Sequence, residues 1–114
     1  MITIEGIDSK MIANNLTPYE PTHPGEILKE EIEYRAISQR KLASQMGIAY
    51  SVLNEILNAK RSLTTINALL FEAVLGIDAE PLIKMQAEYN LQTIKKDKKI
   101  VDRLAIIRKT VAII

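Results

Sequence analysis

The residues of this sequence that are best suited to bind another molecule lie between Ser38 and Arg61. Cations stand at both ends of the stretch, with Arg40 and Lys41 near its start and Lys60 beside Arg61 at its end. Side chains with hydroxyl and amide groups lie between them. Cationic side chains hold phosphates, whereas amides and hydroxyls can hydrogen-bond to the edges of bases. The pattern therefore indicates contact with nucleic acid rather than catalysis.

The composition argues against catalysis and against metal binding. The chain has no cysteine and one histidine, which excludes disulfides, thiolate zinc sites, iron–sulfur clusters and cysteine nucleophiles, and argues against His-rich metal sites. No nucleophile–base pair and no glycine-rich phosphate loop is visible in the sequence. We therefore expect a protein that is not an enzyme and uses no cofactor and no metal, with His23 as a helix-entry residue.

Length and composition indicate one small helical domain. The 114 residues are 47% hydrophobic but only 4% aromatic, so the core must consist of aliphatic side chains, which suit packed helices. Charge is segregated: residues 35–61 carry five cations and one carboxylate, residues 95–114 seven cations and two carboxylates, and residues 1–34 two cations and seven carboxylates. No membrane span or signal peptide is visible. We expect a cytoplasmic protein that binds no membrane.

Helical periodicity divides the chain into three parts. We expect residues 1–20 to form an arm, residues 21–91 a domain of five helices, and residues 92–114 a basic joint followed by an amphipathic helix. The first helix is expected to begin at Pro24. The predicted inward residues of the first helix are Leu28, Ile32 and Ile27, and those of the fourth helix are Ile66, Leu69, Leu70 and Ala73.

The second and third helices are predicted to form a helix-turn-helix. Ser38 can cap a helix of about two turns, and Gly47 can end it in a left-handed conformation. The third helix follows from about Tyr50 to Asn58. Its predicted inward residues are Leu53, Ile56 and Leu57, so its polar side faces outward.

This outward side and the cations around it would share the recognition of a DNA duplex. We expect base edges to be read by Tyr50, Ser51, Asn54 and Glu55. We expect phosphates to be bound by Gln39, Arg40, Lys41, Asn58, Lys60 and Arg61. An alternative is that these polar residues are merely solvated, as on most surface helices, and Tyr50 could equally be a packing residue.

Residues 38–61 resemble the Xre/Cro-like helix-turn-helix family, and the positions that carry the resemblance are Ser38, Gln39, Leu42, Ala43, Gly47, Ile48, Leu53, Ile56, Lys60 and Arg61. Three segments are similar to the HigA antitoxins of type II toxin–antitoxin systems: 23–28 (HPGEIL), 58–61 (NAKR) and 86–89 (QAEY). The resemblance covers residues 21–91. It implies an all-α fold, a five-helix lambda-repressor-like bundle, to which this chain adds an N-terminal arm and an extra C-terminal amphipathic helix.

The same resemblance implies a function. A protein of this kind binds a palindromic operator in double-stranded DNA as a homodimer, represses its own operon, and neutralises a HigB-like toxin, an mRNA-cleaving enzyme of the RelE superfamily, by direct binding. Two other functions stay open: a stand-alone Xre-family transcriptional regulator, and a protein-interaction module that has lost DNA binding. The last is motivated by Ala49 and Ala59, where the family commonly has a Ser or Thr cap and a glycine. We expect the amphipathic tail to pack in cis or at a homodimer interface rather than on a membrane.

Overall fold

The computed structural model describes residues 20–113, and helices are the only regular secondary structure in this range. The helices are α1 (Pro24–Tyr34), α2 (Gln39–Met46), α3 (Tyr50–Leu57), α4 (Thr65–Leu75), α5 (Ala79–Lys95) and α6 (Lys98–Ile113). The all-α prediction is confirmed. The described range contains six helices where the predicted bundle has five, and the sixth is the C-terminal helix. The predicted arm lies outside the described residues, apart from Glu20.

Helix α1 begins where the sequence predicts it to begin, because its first turn is closed by side chains. The Nδ1 atom of His23 accepts a hydrogen bond from the Gly25 N–H at 2.9 Å, and the Glu26 carboxylate accepts one from the His23 N–H at 3.3 Å. This reciprocal arrangement is a capping box, with an imidazole in the position usually taken by a hydroxyl. Pro24 stands in the first turn, where its missing N–H donor would have had no partner within the helix.

Helices α2 and α3 form the predicted helix-turn-helix. The Ser38 hydroxyl accepts a hydrogen bond from the Lys41 N–H at 3.2 Å and so caps α2. Gly47 ends α2 with a φ of +72°, the left-handed conformation that glycine adopts without strain. Ala49 is the N-cap of α3 and makes no side-chain capping bond. The predicted inward residues of α3 are confirmed, since these three are fully buried: Leu53, Ile56 and Leu57.

Two of the predicted core faces are partly wrong. In α1, Leu28 and Ile32 are buried, but Ile27 is 42% exposed. In α4 the buried residues are Ala68, Phe71 and Leu75, whereas the residues predicted to be buried are exposed or half-buried: Ile66, Leu69, Leu70 and Ala73. Apolar residues occupy most positions of α4, so its periodicity does not select a face. Phe71, the largest side chain of the helix, takes the core position instead.

The first turn of α1 packs directly on the last turn of α3. His23 is only 1% exposed, and its ring lies edge-on to Tyr89 of α5 with the ring centroids 4.9 Å apart. Gly25 approaches Ile56 so closely that a Cβ atom at position 25 would overlap the Ile56 carbonyl oxygen. The position of α3 is therefore set by backbone contact with α1, and α1 is in turn held by the contact of His23 with Tyr89 of α5.

A buried glutamine fixes the loop that follows α3. Gln86 of α5 is 5% exposed, and its Oε1 atom accepts a hydrogen bond from the Leu63 N–H at 2.8 Å. Its Nε2 atom donates to Asn90 Oδ1 at 2.9 Å. Both ends of this buried amide are thus satisfied, as burial of a polar group requires.

Helix α6 lies outside the core formed by α1–α5. The Asp97 carboxylate accepts a hydrogen bond from the Lys99 N–H at 2.9 Å and so caps its first turn. Every residue from Val101 to Ala112 is exposed. In the described range, no helix combines the length and the apolar character needed to cross a membrane.

A Gly25→Ala substitution tests the contact between α1 and α3. We expect it to lower the free energy of unfolding by about 2 kcal/mol or more, because the new Cβ must push α1 away from the rigid backbone at Ile56. Urea unfolding measures this loss. Gly76→Ala is the matched control, since its Cβ would meet nothing within 4 Å and its left-handed φ of +73° adds only about 1–2 kcal/mol of strain. A smaller loss at position 25 than at position 76 would contradict the close-contact explanation.

The fold should also lose stability in weak acid through His23. Burial lowers the pKa of His23 below its ordinary value of 6.5, and a backbone hydrogen bond with Arg61 and the Glu26 carboxylate oppose this shift without cancelling it. The folded state needs the neutral ring, because Nδ1 accepts the Gly25 N–H. The free energy of unfolding should therefore be highest above pH 6.5 and decline as the pH falls from 6.5 toward the lower pKa of the folded state.

Urea unfolding at about pH 7.5 and about pH 5.5 checks this expectation, since His23 is the only histidine of the chain. His23→Asn serves as the control, because its amide oxygen can accept the same N–H without titrating. Equal stability of the unaltered protein at both pH values would show that protonation of His23 does not oppose folding.

Candidate nucleic-acid interface

The outward side of α3 carries the residues predicted to read bases. Tyr50 and Ser51 in its first turn are exposed, and Asn54 and Glu55 one turn later are half-buried. The buried side of the same helix is held by the core, so these four side chains are presented on a fixed backbone. An eight-residue helix of this kind gains its stability from such packing rather than from its own length.

Asn54 is hydrogen-bonded to the start of α2. Its Nδ2 atom donates to Gln39 Oε1 at 3.1 Å. The structure thus joins a residue predicted to read a base and a residue predicted to bind a phosphate. The pairing leaves Asn54 Oδ1 as an acceptor, and the second N–H of Asn54 Nδ2 and the Gln39 Nε2 group as donors, so the two side chains present an acceptor and donors in a fixed relation.

Arg40 and Tyr50 form a second link between α2 and α3. The Arg40 guanidinium carbon lies 4.4 Å from the centroid of the Tyr50 ring, within the distance of a cation–π interaction. Tyr50 is 38% exposed, and so it is neither a core residue nor a freely extended one. This stacking holds the Arg40 charge beside the beginning of α3.

Glu55 and Arg61 form an ion pair, so neither is a free charge. Arg61 Nη2 lies 2.7 Å from Glu55 Oε1, and Arg61 Nε donates to the same oxygen at 2.9 Å. The Arg61 side chain is 48% exposed and the Glu55 side chain is 43% exposed. A half-exposed pair of this kind adds little stability. Its main consequence is that the only carboxylate within α3 is neutralised by a neighbouring cation.

Asn58 ends α3 and is engaged by α1. Its Nδ2 atom donates to the Asn54 carbonyl oxygen at 2.8 Å, and its Oδ1 atom accepts from Lys29 Nζ at 3.0 Å. Lys29 adds a cation that is not among the predicted site residues. Nothing in the sequence signals this contact, because the two partners are 29 residues apart and belong to different helices.

Lys41 and Lys60 are the exposed cations of this surface whose ammonium groups have no partner among the described residues. Lys60 follows Ala59, which adopts a left-handed φ of +61°. This conformation is strained by roughly 1–2 kcal/mol in an alanine. It lets the Lys60 N–H donate to the Glu55 carbonyl oxygen at 2.8 Å, so the chain turns sharply at the end of α3.

Most of the predicted site residues thus lie on one surface of the helix-turn-helix and contact one another in pairs. The pairs are Asn54 with Gln39, Arg40 with Tyr50 and Glu55 with Arg61. We define this surface, with Lys29, Lys41, Ser51, Asn58 and Lys60, as the α2–α3 surface. Within residues 20–113, no cluster of three His, Cys, Asp or Glu side chains could hold a metal ion.

Comparisons with known proteins agree with this geometry. Residues 28–82 match the protein family described as Helix-turn-helix. Virulence-associated protein I of Dichelobacter nodosus is 36% identical over 77 residues, which cover 67% of this chain and 71% of that protein.

Two solved structures are similar as well. One is an addiction module antidote protein of a HigA family from Coxiella burnetii, with 33% identity and a TM-score of 0.64 over 68% of this chain and 86% of that one. The other is the antitoxin HigA of Pseudomonas aeruginosa with the higBA promoter, with 29% identity and a TM-score of 0.62 over 66% of this chain and 83% of that one. The chain therefore belongs to the HigA-type antitoxins of the Xre-like helix-turn-helix family.

Proposed function

We propose that this chain is a cytoplasmic DNA-binding antitoxin that represses its own toxin–antitoxin operon and neutralises a HigB-like toxin of the RelE superfamily by direct binding. The observation that carries the DNA-binding part is the α2–α3 surface. Its cations are held beside polar side chains on the outward side of a rigid helix, and that is the arrangement by which helix-turn-helix proteins enter the major groove. The Pseudomonas aeruginosa relative was solved with promoter DNA.

The proposed division of roles follows the contacts. Asn54 reads a base edge in a position fixed by Gln39, and an asparagine amide suits adenine. Lys41 and Lys60 bind phosphates on either side of the groove, since both are exposed and free of intramolecular ion pairs. Arg61 contributes less than Lys60, because its charge is shared with Glu55.

Recognition by one such surface covers few base pairs. We propose that the protein binds a palindromic operator as a homodimer, so that two copies of α3 read half-sites about one DNA turn apart. A monomer would present only the side chains of one short helix, which limits both affinity and discrimination between sequences.

Toxin binding is the part of the proposal that rests on the family. A RelE-type ribonuclease is basic, and the acidic side of α1 could attract it. Glu26, Glu30 and Glu33 lie along this helix and are exposed, and opposite charges of two surfaces accelerate their association. A stand-alone regulator would lack an adjacent gene for a small basic protein, and this observation separates it from an antitoxin.

A protein-interaction module without DNA binding is the second candidate. The uncapped N-terminus of α3 at Ala49 favours it, because a capping hydroxyl is missing where a phosphate contact could form. Salt-dependent binding to the DNA upstream of its own gene decides between the two functions. Absence of any such binding would reject the antitoxin–repressor proposal and leave the interaction module.

Lys60→Ala should weaken binding to all DNA sequences alike. A phosphate contact is independent of sequence, and its loss should reduce the slope of log K against log salt by about one. Fluorescence anisotropy over a series of salt concentrations measures both quantities. Lys84→Ala is the matched control, because Lys84 carries the same charge on α5 and already pairs with Glu80. Equal effects of the two substitutions would mean that only net charge matters.

Asn54→Ala should instead change the preference at one base pair, by about 1–3 kcal/mol. Gln39→Ala should act at the same base pair, since Gln39 positions the Asn54 amide. Binding to operator variants with single base-pair changes gives the preference at each position. If neither substitution changes the preference at any base pair, α3 is not the recognition helix.

A further inference from the structure

Helix α6 presents an apolar stripe that is half-buried at Ile100 and exposed at its other members, since residues 20–97 leave most of it uncovered. Its members recur at intervals of four, three and four residues: Ile100, Leu104, Ile107 and Val111. Leu104 is 40% exposed, Ile107 47% and Val111 63%. An apolar stripe of this size on a soluble protein indicates a surface that another molecule covers.

The spacing of these apolar residues indicates what kind of surface can cover the stripe. Alternation of four and three residues is the heptad repeat, with a mean period of 3.5 residues, and it keeps one narrow seam facing a partner helix along its whole length. With Leu104 at position a, Ile100 and Ile107 take position d and Val111 takes the next a. Such a seam fits another helix, not a flat surface.

We propose that α6 pairs with α6 of a second copy of this chain, in antiparallel orientation, and that this coiled coil is the dimer interface. The inference deepens the proposed function, because it names the contact that would join the two DNA-reading copies. A dimer of this type is isologous, so the same stripe serves both copies and no other partner is needed.

Charge selects the antiparallel orientation. Arg103 and Arg108 flank the seam at positions g and e. A parallel pair would place Arg103 of each helix against the partner's Arg108, which repels on both sides of the seam. In the antiparallel pair, Ile100 packs against the partner's Val111, and Leu104 packs against the partner's Ile107. Arg103 then faces Thr110 and Arg108 faces Val101, so like charges no longer oppose each other directly.

The size of the interface is close to the lower limit for a stable dimer. Sixteen residues form a helix of about 24 Å, and a pair of helices this short is a small interface beside the roughly 1,000 Å² expected of a specific one. Apolar residues at the end of α5 can enlarge the contact, since Leu91 and Ile94 are 50% and 49% exposed. We therefore expect a dimer that dissociates on dilution.

The antiparallel arrangement has a consequence for the assembly. The two α1–α5 bundles would lie at opposite ends of the coiled coil, because α6 follows α5 at its N-terminal end in both copies. A parallel pair would bring them side by side. The distance between the two bundles would be about 24 Å of helix plus the width of the bundles. This distance is compatible with DNA half-sites about 34 Å apart.

Cysteine cross-linking tests the interface and its orientation, and the chain has no cysteine of its own to interfere. Ile100→Cys and Val111→Cys are prepared separately in the full chain, mixed, left to exchange subunits and oxidised. The antiparallel pair predicts a covalent dimer in the mixture and almost none with either variant alone, where identical positions lie about 16 Å apart along the axis. Efficient cross-linking of Ile100→Cys alone would establish a parallel pair and overturn the proposal.

A substitution within the seam tests its contribution to dimerisation. Ile107→Lys should raise the dimer dissociation constant at least about tenfold, because a charge would be buried among apolar side chains. Ile106→Lys is the matched control, since it makes the same change on the side of α6 away from the seam, where Ile106 is 64% exposed. Equal loss of dimer in both variants, or an unaltered protein that is monomeric at every concentration in sedimentation equilibrium, would overturn the proposal.

These measurements contain no DNA, so they separate this inference from the proposed function. A dimer that forms through α6 but binds no DNA would refute the operator-binding proposal alone. A monomer that still binds DNA with a salt-dependent affinity would refute the α6 interface alone.

Discussion

The whole arrangement depends on the close approach of the first turn of α1 to the last turn of α3. Gly25 lies against the Ile56 carbonyl oxygen, where no side chain fits, and the buried His23 ring closes the same turn and packs on Tyr89. A helix of eight residues has no stability of its own in water. Helix α3 therefore owes both its existence and its direction to this contact and to its three buried residues.

With the backbone of α3 fixed in this way, the outward side chains are fixed by one another. Gln39 binds Asn54, Arg40 stacks on Tyr50, and Arg61 pairs with Glu55. Each of the first two contacts joins α2 to α3, so the two helices present their polar groups as one rigid surface. Such ordering before binding reduces the entropy lost when a partner is engaged. It also means that removal of one side chain will disturb its neighbour.

Local signals in the sequence predicted most of the fold. Caps, proline and left-handed glycine predicted the ends of the helices to within a few residues of the observed ones, and the helical spacing of apolar residues in α1 and α3 predicted most of their buried residues correctly. The buried face of α4 could not be predicted, because a helix that is apolar nearly all round carries no directional signal. The contact of Lys29 with Asn58 and the role of Gln86 were also beyond the sequence, since partners in separate helices meet only after the chain has packed.

Ala49 and Ala59, where the chain departs from the family pattern, give the proposed pairing through α6 a role in DNA binding by the α2–α3 surface. Ala49 leaves α3 without a side-chain cap and Ala59 is held in a left-handed conformation, so both ends of the reading helix are less stable than they could be. Each surface by itself should then bind DNA weakly. When two copies are joined, the second surface binds at a high effective concentration, and the combined affinity far exceeds that of one copy. On the proposed assembly, weak half-sites and a dimer that dissociates on dilution make repression depend steeply on the amount of protein present.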